Sequence, residues 1–294
     1  MFSSENDLGK LVFIHIGKTG GSTLRSIIYR NYPKGKIRHF DGTKKDISGF
    51  LALSPEKRSQ YLCLEGHMGF GLRSQFDESS KYLTFLRDPV DRVISLYYFI
   101  RANPDHYLYS RVEPLTLREF ASSKITHMVR NCQTRTLAGE KGGQIRLEDK
   151  EKLCFDDLEK AKTRLEEDIS VIGLTGSFDQ SLMLCKEAFG WKNVFYVRRN
   201  TGSKPPPEEI GEGAIESLKD NNRLDLKLYE YAESLFKRQI EDYPKNMEEE
   251  VNNFRQKNSL LKPFLKAKRV PLALLKKVLE ITDTKELAKK FLGG

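Results

Sequence analysis

Short apolar segments alternate along the chain with turns and amphipathic stretches. Leu11 to Ile16 (LVFIHI) is apolar, contains β-branched residues and is too short for a helix, so it predicts a buried strand. The glycine-rich turn GKTGGS follows, and Leu24, Ile27 and Ile28 then recur at helical spacing. The pattern therefore predicts a strand, a loop and a helix at the N-terminal end of the chain.

Two further units have the same order. Residues 81–87 (KYLTFLR) predict a strand, with Asp88 as the N-cap and Pro89 at the first position of the next helix. Residues 171–176 (VIGLTG) predict another strand before a helix, and residues 193–197 (NVFYV) predict one more strand. Strands that alternate with helices are typical of an α/β fold with a mainly parallel sheet and helices on both faces.

The C-terminal region is predicted to be helical. Residues 224–250 predict one helix, and Pro263 and Pro271 are predicted to break the remaining chain into short pieces, the last of them amphipathic (PLALLKKVLEI). We therefore expect a main domain at 1–257 and a basic amphipathic tail at 258–294. Two alternatives stay open for the tail, because it could pack its leucines on the domain or dock on anionic lipid or a polyanion.

Positive charge is concentrated at this end of the chain. The formal net charge is +9, and residues 255–294 carry 11 basic and three acidic side chains, which leaves +8 in that segment. The remainder of the chain is nearly neutral. The basic balance therefore describes the tail, and no nucleic-acid partner is predicted for the domain.

Composition excludes several classes of protein. With 38% hydrophobic residues the chain can bury a core, so wholesale disorder is excluded. No apolar run approaches the roughly 20 residues of a membrane-spanning helix, and the opening MFSSENDLGK is too polar for a secretory signal. The scattered cysteines do not have zinc-binding spacing; they are Cys63, Cys132, Cys154 and Cys185. We expect a soluble, cytoplasmic protein, with the tail as a candidate peripheral membrane contact.

The most informative segment is the glycine-rich turn after the first predicted strand. A strand, glycine loop and helix direct backbone N–H groups and a helix dipole at an anion. The loop is not a Walker A motif, because Val12 occupies the position of the first glycine. The alternative is a glycine-rich turn with an incidental lysine. The residues predicted to bind a phosphate group are Lys18, Thr19, Gly20, Gly21, Ser22 and Thr23.

A second candidate anion site follows the strand at 81–87. Arg87 ends this strand, at the edge where α/β sheets bind ligands, and Ser95 lies about two turns into the next helix. The alternative is a capped helix start with solvated Asp91 and Arg92. Two candidate anion sites at two strand-to-helix turns are less readily explained by coincidence than one.

These segments carry a family resemblance. HIGKTGGSTL resembles the H-I-P-K-T-G-G-T-[ST]-[LF] segment of sulfotransferases that use PAPS (3′-phosphoadenosine-5′-phosphosulfate), in the branch of the heparan and uronyl O-sulfotransferases. FLRDPVDRVISLYYF resembles the R-D-P-x-x-R-x-x-S segment of that family, and a G-H element lies between the two. The resemblance extends from Leu11 to about Asn200 and departs at Gly17, where the family has proline. The chain looks like a soluble, bacterial-type member.

The resemblance implies a P-loop-like, sulfotransferase-like fold and a metal-independent O-sulfation with PAPS as donor. It implies that residues 18–23 hold the 5′-phosphosulfate, and that Arg87 and Ser95 hold the 3′-phosphate. Arg135, in the family-like segment NCQTRTLAG, and Arg198 or Arg199 are further candidates for cofactor binding. The acceptor is expected to be a sugar, or a lipid or other metabolite with a hydroxyl group.

The candidate catalytic groups follow from the chemistry of sulfuryl transfer. Lys18 supplies positive charge where the leaving phosphate develops negative charge. His67 lies in the G-H element, and its ordinary pKa near neutrality suits a general base. Glu65 is the alternative base, or it orients His67; His15, in the predicted strand, is expected to be structural. A structural role for His67 is the alternative interpretation.

Two other functions compete with this hypothesis. A nucleotide kinase or P-loop-like phosphotransferase needs a proper Walker loop and a magnesium-binding carboxylate, and no acidic cluster follows the glycine loop. A non-catalytic polyanion-binding module would rely on the basic tail. Product formation from PAPS separates the enzyme from the binding module, and consumption of ATP identifies a kinase.

Overall fold

A parallel sheet of five strands forms the centre of the protein. The structure is a computed structural model that describes residues 8–139, 153–198 and 210–266. The strands are β1 (Leu11–Ile14), β2 (Ile37–Phe40), β3 (Cys63–Gly66), β4 (Lys81–Leu86) and β5 (Ile169–Leu174). They are ordered β2-β3-β1-β4-β5, and every neighbouring pair is parallel. The predicted parallel sheet is therefore confirmed.

Helices connect and cover the strands. They are α1 (Gly21–Asn31), α2 (Lys44–Leu51), α3 (Pro55–Ser59), α4 (Arg73–Phe76), α5 (Pro89–Arg101), α6 (Tyr109–Val112), α7 (Leu117–Ser122), α8 (Cys132–Ala138), α9 (Phe155–Glu167), α10 (Phe178–Phe189), α11 (Glu212–Asn221), α12 (Arg223–Glu241) and α13 (Met247–Lys266). All four residues of β1 are fully buried. Because successive side chains of a strand point to opposite faces, both faces of the sheet are covered at its centre.

The strand order decides where the site lies. β1 is the central strand, with β3 on one side and β4 on the other, and Ile14 is in register with both Gly66 and Thr84. The carboxyl ends of parallel strands meet at one edge, so the segments that follow β1, β3 and β4 meet there as well. These three segments contain Lys18, His67 and Arg87, whereas Glu65 lies within β3 itself.

The helix after β4 begins as predicted. Asp88 caps α5 by accepting a hydrogen bond from the backbone N–H of Asp91, and Pro89 occupies the first helical turn. Proline fits there because its missing N–H has no partner within the helix. The apolar face of α5 packs into a second core cluster that includes Leu108 and Val112, so the chain after the helix is anchored to it.

The predicted strand at 193–197 is not formed. Its backbone groups bond to side chains of flanking helices instead of to a neighbouring strand. Asn31 of α1 donates to the carbonyl of Asn193, and Asn258 of α13 accepts from the N–H of Tyr196. The segment is apolar because it is buried between helices. Its composition is the same as that of a buried strand, so the sequence does not distinguish the two structures.

The predicted single helix at 224–250 is two helices. α12 ends at Glu241 and α13 begins at Met247, with Pro244 between them. Proline has no N–H and disfavours helical geometry at the residue before it, which explains the break. Pro263, in contrast, lies inside α13, so the break predicted there is wrong.

The predicted division of the chain falls within α13. This helix runs through residues 257 and 258, and Asn258 and Leu261 beyond that point are buried against the body. The predicted amphipathic piece at 271–281 lies outside the described residues. Within the described ranges, no helix is long and apolar enough to cross a membrane.

Candidate active site

The loop between β1 and α1 is shaped to receive an anion. Lys18 and Gly20 both have positive φ, 71° and 85°, and α1 begins at Gly21. A lysine rarely adopts this conformation, and residues in strained backbone conformations cluster at functional sites. No side chain caps α1 and its first turn carries no acid. The N-terminal end of the helix dipole therefore presents positive potential to the loop.

Gly21 is required by packing against His15. A Cβ atom at position 21 would lie 1.8 Å from Nε2 of His15, inside the imidazole ring's own space. Every other amino acid would displace either the helix or the ring. The second glycine of the pair therefore serves the approach of α1 to the histidine at the end of β1.

The hydroxyl groups of the loop have different roles. Thr19 is fully buried and donates its hydroxyl to the carbonyl of Ile16 at 2.8 Å, so it stabilises the loop. Because its single proton is used within the loop, the hydroxyl of Thr19 is not positioned as a donor to phosphate, and the predicted phosphate contact of Thr19 rests on its backbone N–H. Ser22 is exposed at the start of α1, whereas Thr23 is buried.

His67, directly after β3, is held by hydrogen bonds to residues at the ends of both neighbouring strands, β1 and β2. Nδ1 of His67 lies 3.0 Å from the carbonyl oxygen of His15, and the N–H of His67 donates to the carbonyl of Phe40. Because a carbonyl only accepts, Nδ1 carries the proton of the neutral ring and Nε2 keeps its lone pair. Burial lowers the pKa of His67, which keeps the ring neutral near pH 7.

The two imidazoles are stacked. The ring centroids of His15 and His67 are 4.5 Å apart at an interplanar angle of 23°. His15 also stacks on Phe13, and burial lowers the pKa of His15 well below its ordinary value. The neutral ring of His15, which is packed against Gly21, thus supports one face of the His67 ring.

Glu65 has partners of its own. This fully buried carboxylate accepts from Nε of Arg25 at 3.1 Å and from the hydroxyl of Tyr29 at 2.9 Å. It also lies 2.8 Å from Nδ1 of His39. The prediction that Glu65 orients His67 is wrong, since the orienting atom is the carbonyl of His15. As a base, Glu65 is disfavoured because both of its carboxylate oxygens already have hydrogen-bonding partners, in Arg25, Tyr29 and His39.

Arg87 reaches the glycine loop from the end of β4. Its guanidinium donates to the carbonyl of Lys18 at 3.2 Å and to Asp91 at 3.5 Å. Ser95, two turns along α5, is half-buried. The sheet therefore brings the two predicted anion sites into direct contact.

Gln133 fixes the backbone of Arg87, and sequence reasoning missed it. The side-chain oxygen of Gln133 accepts from the N–H of Arg87 at 3.0 Å, and its amide nitrogen donates to the carbonyl of Arg87 at 2.8 Å. Asp225, fully buried, accepts from the N–H groups of Gln133 and Thr134 at the start of α8. Gln133 lies in the family-like segment NCQTRTLAG, but a glutamine side chain is neither charged nor nucleophilic, so the sequence alone gave no reason to select it.

Phe99 is a second residue that sequence reasoning missed. The ammonium group of Lys18 lies 3.7 Å from the centroid of the Phe99 ring, in cation–π contact. Phe99 follows Ser95 by one helical turn on α5. An aromatic side chain at helical spacing is typical of a core position, so the sequence alone gives no reason to select it.

The remaining predicted contacts are less central. Arg135 lies on α8 with its side chain buried, and Asn131 before it caps α12 by accepting from the N–H groups of Leu224 and Asp225. Arg198 is exposed near Tyr196, while Arg199 lies outside the described residues. In the described part of the chain, no three His, Cys, Asp or Glu side chains are grouped to hold a metal ion.

Comparison with known proteins identifies the family. Residues 4–268 match the family model of the galactose-3-O-sulfotransferases. The chain belongs to this family. The predicted resemblance to sulfotransferases is therefore confirmed, and this sulfotransferase homologue carries its glycine loop, G-H element and Arg87 at one edge of the sheet.

Curated relatives are similar to this sulfotransferase homologue over much of its length. Human heparan-sulfate 6-O-sulfotransferase 3 is 24% identical in an alignment that covers 77% of this chain and 57% of the human protein. Chicken heparan-sulfate 6-O-sulfotransferase 2 is 22% identical, over 89% of this chain and 74% of the relative. The chain thus spans little more than half the length of the human relative.

Solved structures of sulfotransferases include chains with a low level of similarity to this one. A mouse sulfotransferase in complex with PAP aligns with 80% of this chain and 85% of its own chain, at 12% identity and a TM-score of 0.33. The assignment of the α/β fold rests on the strand order and parallel pairing of this chain itself.

Proposed function

We propose that this sulfotransferase homologue transfers the sulfuryl group of PAPS to a hydroxyl group of a carbohydrate acceptor. The observation that carries the proposal is the meeting of His67, Lys18 and Arg87 at the carboxyl edge of β3, β1 and β4. A base, a cation on a phosphate-binding loop and a second phosphate-binding cation are the groups that such a transfer needs. The carbohydrate acceptor is suggested by the names of the family and of the curated relatives.

His67 is the proposed general base. Its Nε2 lone pair accepts the proton of the acceptor hydroxyl as the new bond between oxygen and sulfur forms. The bond between sulfur and the phosphate oxygen breaks, and its electron pair leaves with the phosphate. The lowered pKa of His67 keeps Nε2 available for the proton at neutral pH.

Lys18 is the proposed stabiliser of the leaving phosphate. Its ammonium group and the N-terminal end of α1 place positive charge where negative charge increases during transfer. The loop fits such a group, because the backbone at Lys18 and Gly20 is already in the left-handed conformation of an anion-binding turn. Contact with Phe99 holds the ammonium group near the C-terminal end of α5.

Arg87 and Ser95 are the proposed ligands of the 3′-phosphate. A guanidinium group binds phosphate through several N–H donors, and Gln133 holds the backbone from which this one extends. The 3′-phosphate is unchanged by the reaction, so these residues contribute to binding of donor and product alike. Ser22, Thr23 and the backbone of residues 18–21 are proposed to hold the 5′-phosphosulfate.

The test is transfer of label from radiolabelled PAPS to a panel of acceptors, with galactose-terminated and heparan-type oligosaccharides first. Wild-type protein is expected to label a carbohydrate, and Lys18→Ala and His67→Ala are expected to lose nearly all transfer. A protein that labels no carbohydrate with PAPS but consumes ATP is a kinase. One that binds heparan-type oligosaccharides and transfers nothing is a polyanion-binding module.

A further inference from the structure

A row of three aromatic rings leads outward from the lysine of the glycine loop. Lys18 lies over the ring of Phe99, and the ring of His106 meets Phe99 edge-on at 5.7 Å and 86°. Tyr107 in turn stacks on His106, with centroids 4.7 Å apart and an interplanar angle of 25°. We call Phe99, His106 and Tyr107 the aromatic shelf.

The outer ring of the shelf is unusually exposed. Tyr107 is 73% exposed, the most of any large hydrophobic side chain in the described ranges. His106 covers one of its faces, so the other face is open to solvent. An exposed aromatic face of this kind can stack on an apolar face of a ligand, and His106 and Phe99 connect it to the ammonium group of Lys18.

The backbone holds the shelf in place. The N–H of Tyr109 donates to the carbonyl of His106 at 2.7 Å, and the N–H of His106 donates to that of Asn103 at 2.9 Å. Leu108, next to Tyr107, is buried in the second core cluster together with Val112. The exposed ring is therefore presented by an anchored segment, which reduces the entropy lost when a ligand binds.

His106 adds a directional donor beside the exposed ring. The N–H of Leu108 donates to Nδ1 of His106 at 3.2 Å, so Nδ1 is the acceptor and Nε2 carries the proton of the neutral ring. Burial, and then the positive charge of Lys18, lower the pKa of His106. The ring thus remains neutral at pH 7, with one N–H available to a hydroxyl group.

From this geometry we propose that the aromatic shelf binds a pyranose ring of the acceptor, with the sugar stacked on the open face of Tyr107. The proposal rests on the proposed function, since Lys18 marks the sulfuryl end of the donor. A pyranose ring combines an apolar C–H face with hydroxyl groups, and the shelf combines an apolar ring face with an N–H donor. Its inner ring contacts the ammonium group of Lys18, whereas Arg87, the proposed ligand of the nucleotide's 3′-phosphate, contacts the backbone carbonyl of Lys18.

The test compares Tyr107→Ala with Tyr107→Phe, Tyr107→Trp and Phe155→Ala. Phe155, on α9, is a matched control because it is also exposed, at 58%, and contacts Lys227 rather than the loop. In wild type and variants we would measure KM and kcat with a galactose-terminated disaccharide, the Kd of PAP, and transfer to glycerol. Binding of the same disaccharide to the PAP-loaded protein is measured separately by saturation-transfer NMR.

Tyr107→Ala is expected to raise the disaccharide KM by about tenfold, a loss typical of one aromatic contact. The Kd of PAP and transfer to glycerol stay near wild type, Tyr107→Phe and Tyr107→Trp restore the KM, and Phe155→Ala has no effect. An unchanged KM in Tyr107→Ala overturns the proposal. So does a raised Kd of PAP with an unchanged disaccharide KM, which would assign the ring to the nucleotide base.

The binding measurement separates this proposal from the proposed function. Disaccharide binding that depends on Tyr107, in a protein that transfers nothing from PAPS, supports the shelf and contradicts the proposed function. Transfer to the disaccharide that is insensitive to Tyr107 supports the function and overturns the shelf. If the wild-type protein neither binds nor labels the disaccharide, the shelf is overturned for pyranose acceptors.

Discussion

The side chain of Gln133 forms two hydrogen bonds with the backbone of Arg87, one to its N–H and one to its carbonyl. It takes the place of a neighbouring strand at the point where β4 ends. Gln133 is fully buried and is itself held by the carboxylate of Asp225. The direction in which Arg87 leaves the sheet is thus set by a residue 46 positions further along the chain.

Replacement of this glutamine is expected to weaken donor binding without touching the donor. Gln133→Leu leaves two partly buried backbone groups of Arg87 without these partners, at a cost of up to about 1–3 kcal/mol for each. We expect a lower melting temperature and a Kd for PAP raised by about tenfold, because Arg87 is no longer held toward the loop. Isothermal titration calorimetry with PAP measures the change.

Gln239 provides the matched control for that variant. Its side chain makes the same kind of paired contact to the backbone of β5, accepting from Ile172 N–H and donating to the carbonyl of Ser170. Gln239→Leu should lower the melting temperature and leave the Kd of PAP unchanged. Equal weakening of PAP binding in both variants would show that Gln133 acts only through general stability.

Replacement of Lys18 and of Arg87 by alanine is expected to affect different steps, catalysis in one case and donor binding in the other. Lys18→Ala should lower kcat by about a hundredfold or more, since its charge is needed most as the leaving phosphate forms. Arg87→Ala should raise the Kd of PAP by about tenfold to a hundredfold, with a smaller change in kcat, because the 3′-phosphate does not change in the reaction. Calorimetry and steady-state kinetics measure the two effects, and an unchanged Kd in Arg87→Ala would refute its assignment.

The pH dependence should report on His67. Its pKa lies below the ordinary 6.5 because of burial, so Nε2 becomes protonated only in more acidic solution. We expect kcat to be constant near neutral pH and to fall as the pH drops through that lowered pKa. His67→Ala should keep PAP binding and lose about a hundredfold in transfer, with no such acidic limb. An acidic limb that persists in residual activity would assign the base to another group.

Gly21 and Gly17 offer a contrast within one loop. Gly21→Ala places a Cβ atom against His15 Nε2 and is expected to destabilise the fold by roughly 1–3 kcal/mol, as overpacking does. Because His15 supports His67, kcat should fall as well. A Cβ atom at Gly17 meets nothing within 4 Å, so Gly17→Ala should have little effect on melting temperature or kcat. Thermal unfolding of both variants checks this.

The local sequence pattern correctly predicted the secondary structure around the glycine loop, but it did not correctly predict the segments that pack among the C-terminal helices. The strand, glycine turn and helix at 11–31 and the capped start of α5 at Asp88 were predicted because each depends on neighbouring residues only. The segment 193–197 was mispredicted as a strand because a buried apolar chain has the same composition whether its backbone bonds to a strand or to helix side chains.

The sequence by itself determined the α/β class, because the alternation of apolar strands and amphipathic helices is a local pattern. Its family-like motifs singled out Lys18, His67 and Arg87 as candidates. Only the tertiary structure decided how these groups cooperate. It gave His67 the carbonyl of His15 instead of Glu65, and it placed the ring of Phe99 under Lys18. Such contacts join residues that are far apart in sequence, and parallel strand order, rather than any local signal, brings them together.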